Sequence, residues 1–283
     1  MTTYDRHRLQ RPLRGIAAIV AMGAALTLPA IAVAHPLGNF TINHYAGIRI
    51  EPDRILLDIV IDEAEIPTFQ ARLDFDTDGD GEVSDEETDA GREAACRELE
   101  PSLALSVDGA RLPLVLDEAG LTFPMGAGGL NVMRVVCGFS AALGALGGDG
   151  TEIAFTDSSF TGRLGWREIV AVGSGVTVAP SVGEVRSNSV SDRLRSYPAA
   201  LLTQPLADAT LSVLATPGGP TLPAMDIADA APLAGAAVSG PATGSPEPRA
   251  PTAAPPTVVD AAPVAASVPG GVSGADLPAI FRS

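Results

Sequence analysis

A mainly β fold, an antiparallel β-sandwich with one inserted helix-loop-helix and a disordered tail, is what this sequence of 283 residues predicts. Three observations carry that reading. Apolar residues alternate with period two in several short runs separated by turn residues. Between two groups of such runs lies an acidic stretch containing glycine, flanked by helical patterns. From about residue 215 to 273 the composition is dominated by Ala, Pro, Gly, Val, Ser and Thr, which cannot bury enough apolar surface to offset chain entropy. The expected organisation is a signal over residues 1–34, an exported β-rich domain over 35–206 with its insertion at 64–99, and a linker or tail over 207–283.

Taken in order, the chain starts with Arg6, Arg8, Arg11 and Arg14, followed by an apolar run over residues 15–34 that ends Ala32-Val33-Ala34. Basic then apolar then A-x-A is the pattern of a secretory signal. The run approaches the length of a membrane anchor, but Pro29 and the small residues at its end favour cleavage, which would leave His35 first. Residues 40–62 alternate: Ile42, Ala46, Ile48 and Ile50 share one face, and Ile55, Leu57, Ile59 and Ile61 another, across the turn Glu51-Pro52-Asp53-Arg54. This predicts a hairpin.

Residues 76–87 read D-T-D-G-D-G-E-V-S-D-E-E. A calcium ion wants six to eight oxygens, and an EF-hand loop supplies them from positions 1, 3, 5, 7, 9 and 12 around a turn at position 6. Those positions are Asp76, Asp78, Asp80, Glu82, Ser84 and Glu87, with Gly81 at the turn. Glu82 would offer its backbone carbonyl, Ser84 a water and Glu87 both carboxylate oxygens. Upstream, Ile66, Phe69 and Leu73 mark one face of a short helix with Pro67 in its first turn. Downstream, residues 85–99 form a helix weakened by Gly91. Loops of this kind usually pair through position 8, here Val83, and the sequence holds no second loop. Val83 is therefore expected to pack on the host domain or on another chain, making the loop a structural clamp rather than a calcium switch.

After the insertion, strands are expected over 103–107, 111–116, 131–139, 151–155 and 167–178, with Asp108-Gly109 as a hairpin turn. Residues 187–206 read as a surface segment with a short helix near Tyr197-Pro198. The two cysteines, Cys96 and Cys137, form the only possible bridge in an oxidising compartment.

Composition narrows the function. A net charge of −16 and a pI near 4.4, with arginine as the only basic residue besides histidine, exclude the basic footprint that nucleic acid requires. With no lysine, two histidines after the signal and no G-x-S-x-G elbow, no enzyme is expected. A second metal site is conceivable: the α-amine and ring of His35 with the ring of His44 suit nickel, copper or cobalt. Against it, His44 shares the strand face of Ile42 and Ala46, where a histidine is more often a hydrogen-bonded core residue.

Certain stretches resemble a known family. His35-Pro36-Leu37-Gly38-Asn39-Phe40-Thr41-Ile42-Asn43-His44-Tyr45 and Ala64-Glu65-Ile66-Pro67-Thr68-Phe69-Gln70 are similar to the extracytoplasmic N-terminal region of bacterial nickel/cobalt transporter family proteins. Gly162-Arg163-Leu164-Gly165-Trp166-Arg167-Glu168-Ile169-Val170 and Leu194-Arg195-Ser196-Tyr197-Pro198 fit the same region. The resemblance spans about residues 35–206 and implies an exported β-rich domain that precedes a polytopic membrane transporter domain for divalent metal ions. No later run is long enough to span a bilayer, so a truncated or split transporter is expected. Its location would be extracellular, or the cell-surface or periplasmic side of the membrane. The other function consistent with the sequence is a secreted, calcium-stabilised binding or adhesion module without a transport role.

Overall fold

The computed structural model describes residues 37–126 and 129–234. The expected signal and cleavage site, His35 and the chain after residue 234 lie outside the described residues. The fold is mainly β, 39% strand and 17% helix, and it builds two sheets.

The first sheet contains β1 (Ile42–Ile50), β2 (Arg54–Glu63), β5 (Val115–Thr122), β6 (Met133–Ala142), β8 (Arg167–Gly173) and β11 (Ala231–Pro232), in the order β11-β5-β6-β2-β1-β8. The second contains β3 (Leu103–Val107), β4 (Ala110–Arg111), β7 (Thr151–Asp157), β9 (Val176–Pro180) and β10 (Thr210–Pro217), in the order β4-β3-β7-β10-β9. The expected hairpin is β1 with β2, in register Ile42↔Glu63 to Ile50↔Ile55. Because pleating sends alternate side chains to opposite faces, Ile42, Ala46, Ile48 and Ile50 join Ile55, Leu57, Ile59 and Ile61 in one core. That core takes in apolar residues of both sheets, among them Leu103, Leu105, Ile153, Phe155, Val213 and Ala215.

Three expectations are corrected. The strands are not all antiparallel: β8 runs parallel to β1, from His44↔Arg167 to Ile50↔Gly173. The single strand expected over 167–178 is two, β8 and β9, which turn at Ser174-Gly175 and belong to different sheets. The disorder expected from residue 207 is corrected over its first part, since β10 lies between β7 and β9. There Leu211, Val213 and Ala215 are buried, so a period-two signal sat inside a sequence of low complexity.

The other face of the first sheet carries a second cluster of Tyr45, Val60, Val136, Trp166, Val170, Leu194 and Ile227. Trp166 meets Tyr197 edge to face with ring centroids 5.3 Å apart. Three separate motifs, ending at Tyr45, containing Trp166, and running from Leu194 to Pro198, thus meet in one small core. Over it the chain holds Asp192, Arg193 and Leu194 at φ of 49°, 54° and 69°. Left-handed backbone costs about 1–2 kcal/mol per residue for such side chains. Offsetting that cost, Arg193 donates from Nε and Nη2 to the two oxygens of Asp58, each 2.7 Å away, and Leu194 is buried. Arg134 donates from Nη1 to both oxygens of Asp62 at 2.9 and 2.7 Å, and from Nη2 to the Arg193 carbonyl at 2.8 Å. The planar fork of arginine suits these paired contacts.

Glu63, at the end of β2, is almost fully buried. Burial pushes its carboxyl up from 4.5 to about 7, only partly opposed by the charge of Arg163. Between those two values the folded chain keeps a proton that the unfolded chain has released. The stability this group supplies is therefore full below pH 4.5 and is lost as pH rises through about 7. Glu63→Gln is expected to remove about 2–3 kcal/mol of the stability loss between pH 5 and pH 8. Urea midpoints of variant and parent at those two pH values measure it, and an identical drop in both contradicts it.

Candidate functional site

The helix-loop-helix consists of α1 (Glu65–Phe75) and α2 (Asp85–Leu99). Helix α2 begins with a full capping box: Ser84 accepts from the Glu87 amide, and the Glu87 side chain accepts from the Ser84 amide. This satisfies two amides that have no partner within the helix, and Asp85, Glu86 and Glu87 in the first turn suit the positive end of its dipole. Gly91 does not weaken α2 without purpose. A Cβ there would lie 2.6 Å from Phe75 Cδ1, so glycine lets the Phe75 ring of α1 lie against α2. Phe75 also meets Phe123 edge to face at 5.6 Å.

That contact decides how α1 is rotated, and it corrects the expected face. Ala71 and Phe75 point into the core, while Phe69 and Leu73 of the predicted apolar stripe are exposed. Thr68 is buried too, donating from Oγ1 to the Glu63 carbonyl at 2.9 Å.

The loop closes on its own acids. Asp76 accepts from the Gly79 amide at 2.7 Å and the Gly81 amide at 2.9 Å. Asp78 accepts from the Asp80 amide at 3.1 Å, and Asp80 from the Glu82 amide at 2.8 Å. Gly81 takes φ +89°, the conformation expected at the sharp turn. One carboxylate oxygen from each of Asp76, Asp78 and Asp80 lies within 4.8 Å of the others. Oxygens on a sphere of calcium–oxygen radius, about 2.3–2.6 Å, would be separated by no more than about 5 Å. Glu87 turns both oxygens into the same loop: Oε1 accepts from the Thr77 amide and hydroxyl at 2.5 and 2.8 Å, and Oε2 from the Ser84 amide at 2.9 Å. Hydrogen bonds from Ser84 and Thr77 hold its carboxyl down at about 2, so it is ionised at any physiological pH.

Five of the six expected positions thus bring a carboxylate or hydroxyl to the loop interior or its closure. The sixth, Glu82, was expected to act through its carbonyl. Around this cluster the basic partner is Arg72, which donates to the Gly81 carbonyl. The residues present fit a hard divalent cation. When bound, such an ion would neutralise mutually repelling carboxylates and tie the end of α1 to the start of α2.

The loop is fastened to the rest of the fold at its downstream side. Val83 packs against the main core, Arg92 donates to the Ala119 carbonyl of β5 at 2.8 Å and to the Ala231 carbonyl of β11 at 2.9 Å, and Cys96 is bridged to Cys137 of β6.

The other expected ligand, His44, is buried in a polar network. Arg167 Nη1, which can only donate, lies 3.2 Å from Nε2, so the ring proton sits on Nδ1 and is donated to Asp157 Oδ2 at 2.8 Å. Burial lowers the His44 pKa, outweighing the opposing pull of Asp157. Asp157 is raised by burial but lowered further by His44, Ser159 and Arg167, and stays below its usual range. Ser159 Oγ is also close to His44 Nδ1, at 3.2 Å. Hydroxyl and carboxylate therefore share one ring nitrogen, while the other faces a guanidinium. This differs from a base flanked by nucleophile and orienting acid, and it leaves neither ring nitrogen of His44 turned to an outside metal. No sequence spacing announces this network, whose members come from β1, β7, the turn after β7, and β8.

No protein-family model matches this chain, and no curated protein matches it.

Proposed function

We propose that this protein is a calcium-binding extracytoplasmic accessory domain of a nickel/cobalt-type divalent metal transport system, a truncated or split transporter. The observation that carries the calcium reading is the convergence of Asp76, Asp78 and Asp80 oxygens within 4.8 Å in a loop whose last position, Glu87, faces inward. Ser84 and the Glu82 carbonyl complete the donor set. The two sheets are read as a sandwich, and the helix-loop-helix as an EF-hand locked to it by Val83, Arg92 and the Cys96–Cys137 bridge. A loop so fastened acts as a clamp rather than a switch, and outside the cell a site of millimolar grade stays filled.

The transport association is supported by the four motif stretches, three of which meet in the second core. The Cys96–Cys137 bridge supports export. Among the described residues no helix is long and apolar enough to cross a membrane, so the transport path would belong to a separate membrane domain. Nickel and cobalt accumulation in cells that contain or lack this chain tests the association. A change of about fivefold or more in either metal is expected, on the scale of a coupling of about 1 kcal/mol. Unchanged accumulation of both leaves the secreted, calcium-stabilised binding module as the reading.

A further inference from the structure

Large apolar side chains on the surface are unevenly placed. Among the described residues six are at least 60% exposed: Phe40 (67%), Phe69 (60%), Leu73 (72%), Met125 (70%), Leu164 (78%) and Val182 (77%). Five of them gather at one end of the six-stranded sheet, and the sixth, Val182, follows β9 of the other sheet.

The strand directions require this grouping. Phe40 lies just before β1 and Leu164 just before β8, which is parallel to β1; the Leu164 carbonyl accepts from the Ile42 amide at 2.9 Å. Phe69 and Leu73 are on α1, which follows the end of β2 opposite the start of β1; the Asn39 carbonyl accepts from the Ile66 amide at 3.0 Å. Met125 lies between β5 and β6 at the same end, where a Cβ on Gly126 would be 3.1 Å from Glu65 Oε1. Four neighbouring connections each put an aromatic, Leu or Met side chain into water, more than scattered surface apolar residues explain.

We propose that this end of the protein seats on a zwitterionic lipid bilayer, inserting Phe40, Phe69, Leu73 and Leu164 at the headgroup boundary. The chain outside the described residues argues for that occupant. The apolar run over residues 15–34 is 20 residues long, enough to cross a hydrocarbon core of about 30 Å. It joins the fold at this same end, and the three steps from Ala34 to Leu37 reach at most about 10 Å. Export therefore delivers these side chains to the membrane surface. Charge selects the lipid class: a chain of net charge −16, with its acidic loop following α1, is repelled by anionic headgroups. The proposal does not depend on calcium occupancy or on transport.

Tryptophan fluorescence of the full secreted chain tests it, using phosphatidylcholine vesicles brominated on their acyl chains. Native Trp166 is wholly buried, and its own quenching, measured in the parent chain, is subtracted as the background. Phe69→Trp reports on the proposed face. Val115→Trp, at an exposed position at the far end of β5, about 23 Å along the strand from Thr122, reports on non-specific approach to the vesicles alone. Phe69→Trp should be quenched by about half and Val115→Trp by under about a tenth, as for a face that sinks about 5–10 Å into the interface. Adding Leu73→Asp should reverse the first result. Equal quenching at both positions, no quenching at either, or persistence with Leu73→Asp overturns the proposal, as does quenching that needs a membrane protein in the vesicles.

Discussion

Removing the Cys96–Cys137 bridge as Cys96→Ala with Cys137→Ala is expected to destabilise the protein by about 4 kcal/mol, from the chain-entropy cost of releasing a loop of 41 residues. For a domain of this size that corresponds to a fall of about 8–16 °C in melting temperature. The physical reason lies in what the bridge joins. Cys96 is on the fully buried side of α2, next to Ala95 and Leu99, and Cys137 is in β6 between β2 and β5. Helix α2 has few large apolar residues of its own, so its hold on the sheet depends on this bond, on Leu99 and on the Arg92 hydrogen bonds. Scanning calorimetry of the double variant measures the effect. A melting temperature within about 2 °C of the parent, under about 1 kcal/mol, would mean that packing alone positions α2.

Much of the framework was legible in the residues. The β1–β2 hairpin, the Asp108-Gly109 turn and the limits of α2 follow from alternation, turn chemistry and helical patterning, each a local property. The Cys pairing was legible because two cysteines leave one choice. What could not be read arises from long-range packing. Asp58 and Arg193 are 135 positions apart, and nothing near either residue marks the pair. The face of α1 was misread because its apolar stripe, Phe69 and Leu73, competes with Phe75, whose ring finds a place only because Gly91 of another helix leaves room. Strand β10 was hidden because Pro, Gly and Ala around it dominate the composition, although Leu211, Val213 and Ala215 alternate. For the site, all loop donors are local and were named from spacing. The partners that bury His44, namely Asp157, Ser159 and Arg167, come from β7, the turn after it and β8, whose approach to β1 the sequence does not show.

The loop geometry leads to the second large effect. An ion that binds only the folded chain stabilises it by about 2.7 kcal/mol when present at a hundredfold excess over its dissociation constant. Calcium should therefore raise the melting temperature by about 5–10 °C relative to chelator. Asp78→Asn keeps an oxygen to accept from the Asp80 amide but removes one negative charge from the cluster, so it should lose most of that calcium response while melting like the parent in chelator. Glu87→Gln should lose the response and also melt lower in chelator, because the carboxylate it replaces closes the loop and caps α2. Magnesium, which prefers a smaller octahedral shell and sheds water reluctantly, should substitute poorly.

The most direct measurement is calorimetric titration of the purified protein with calcium, carried out beside its Asp78→Asn variant. One ion bound per chain by the parent, with a clear loss of affinity in the variant, is the result expected if residues 76–87 clamp the β framework around calcium. No binding by the parent at millimolar calcium, or equal binding by both proteins, would contradict it.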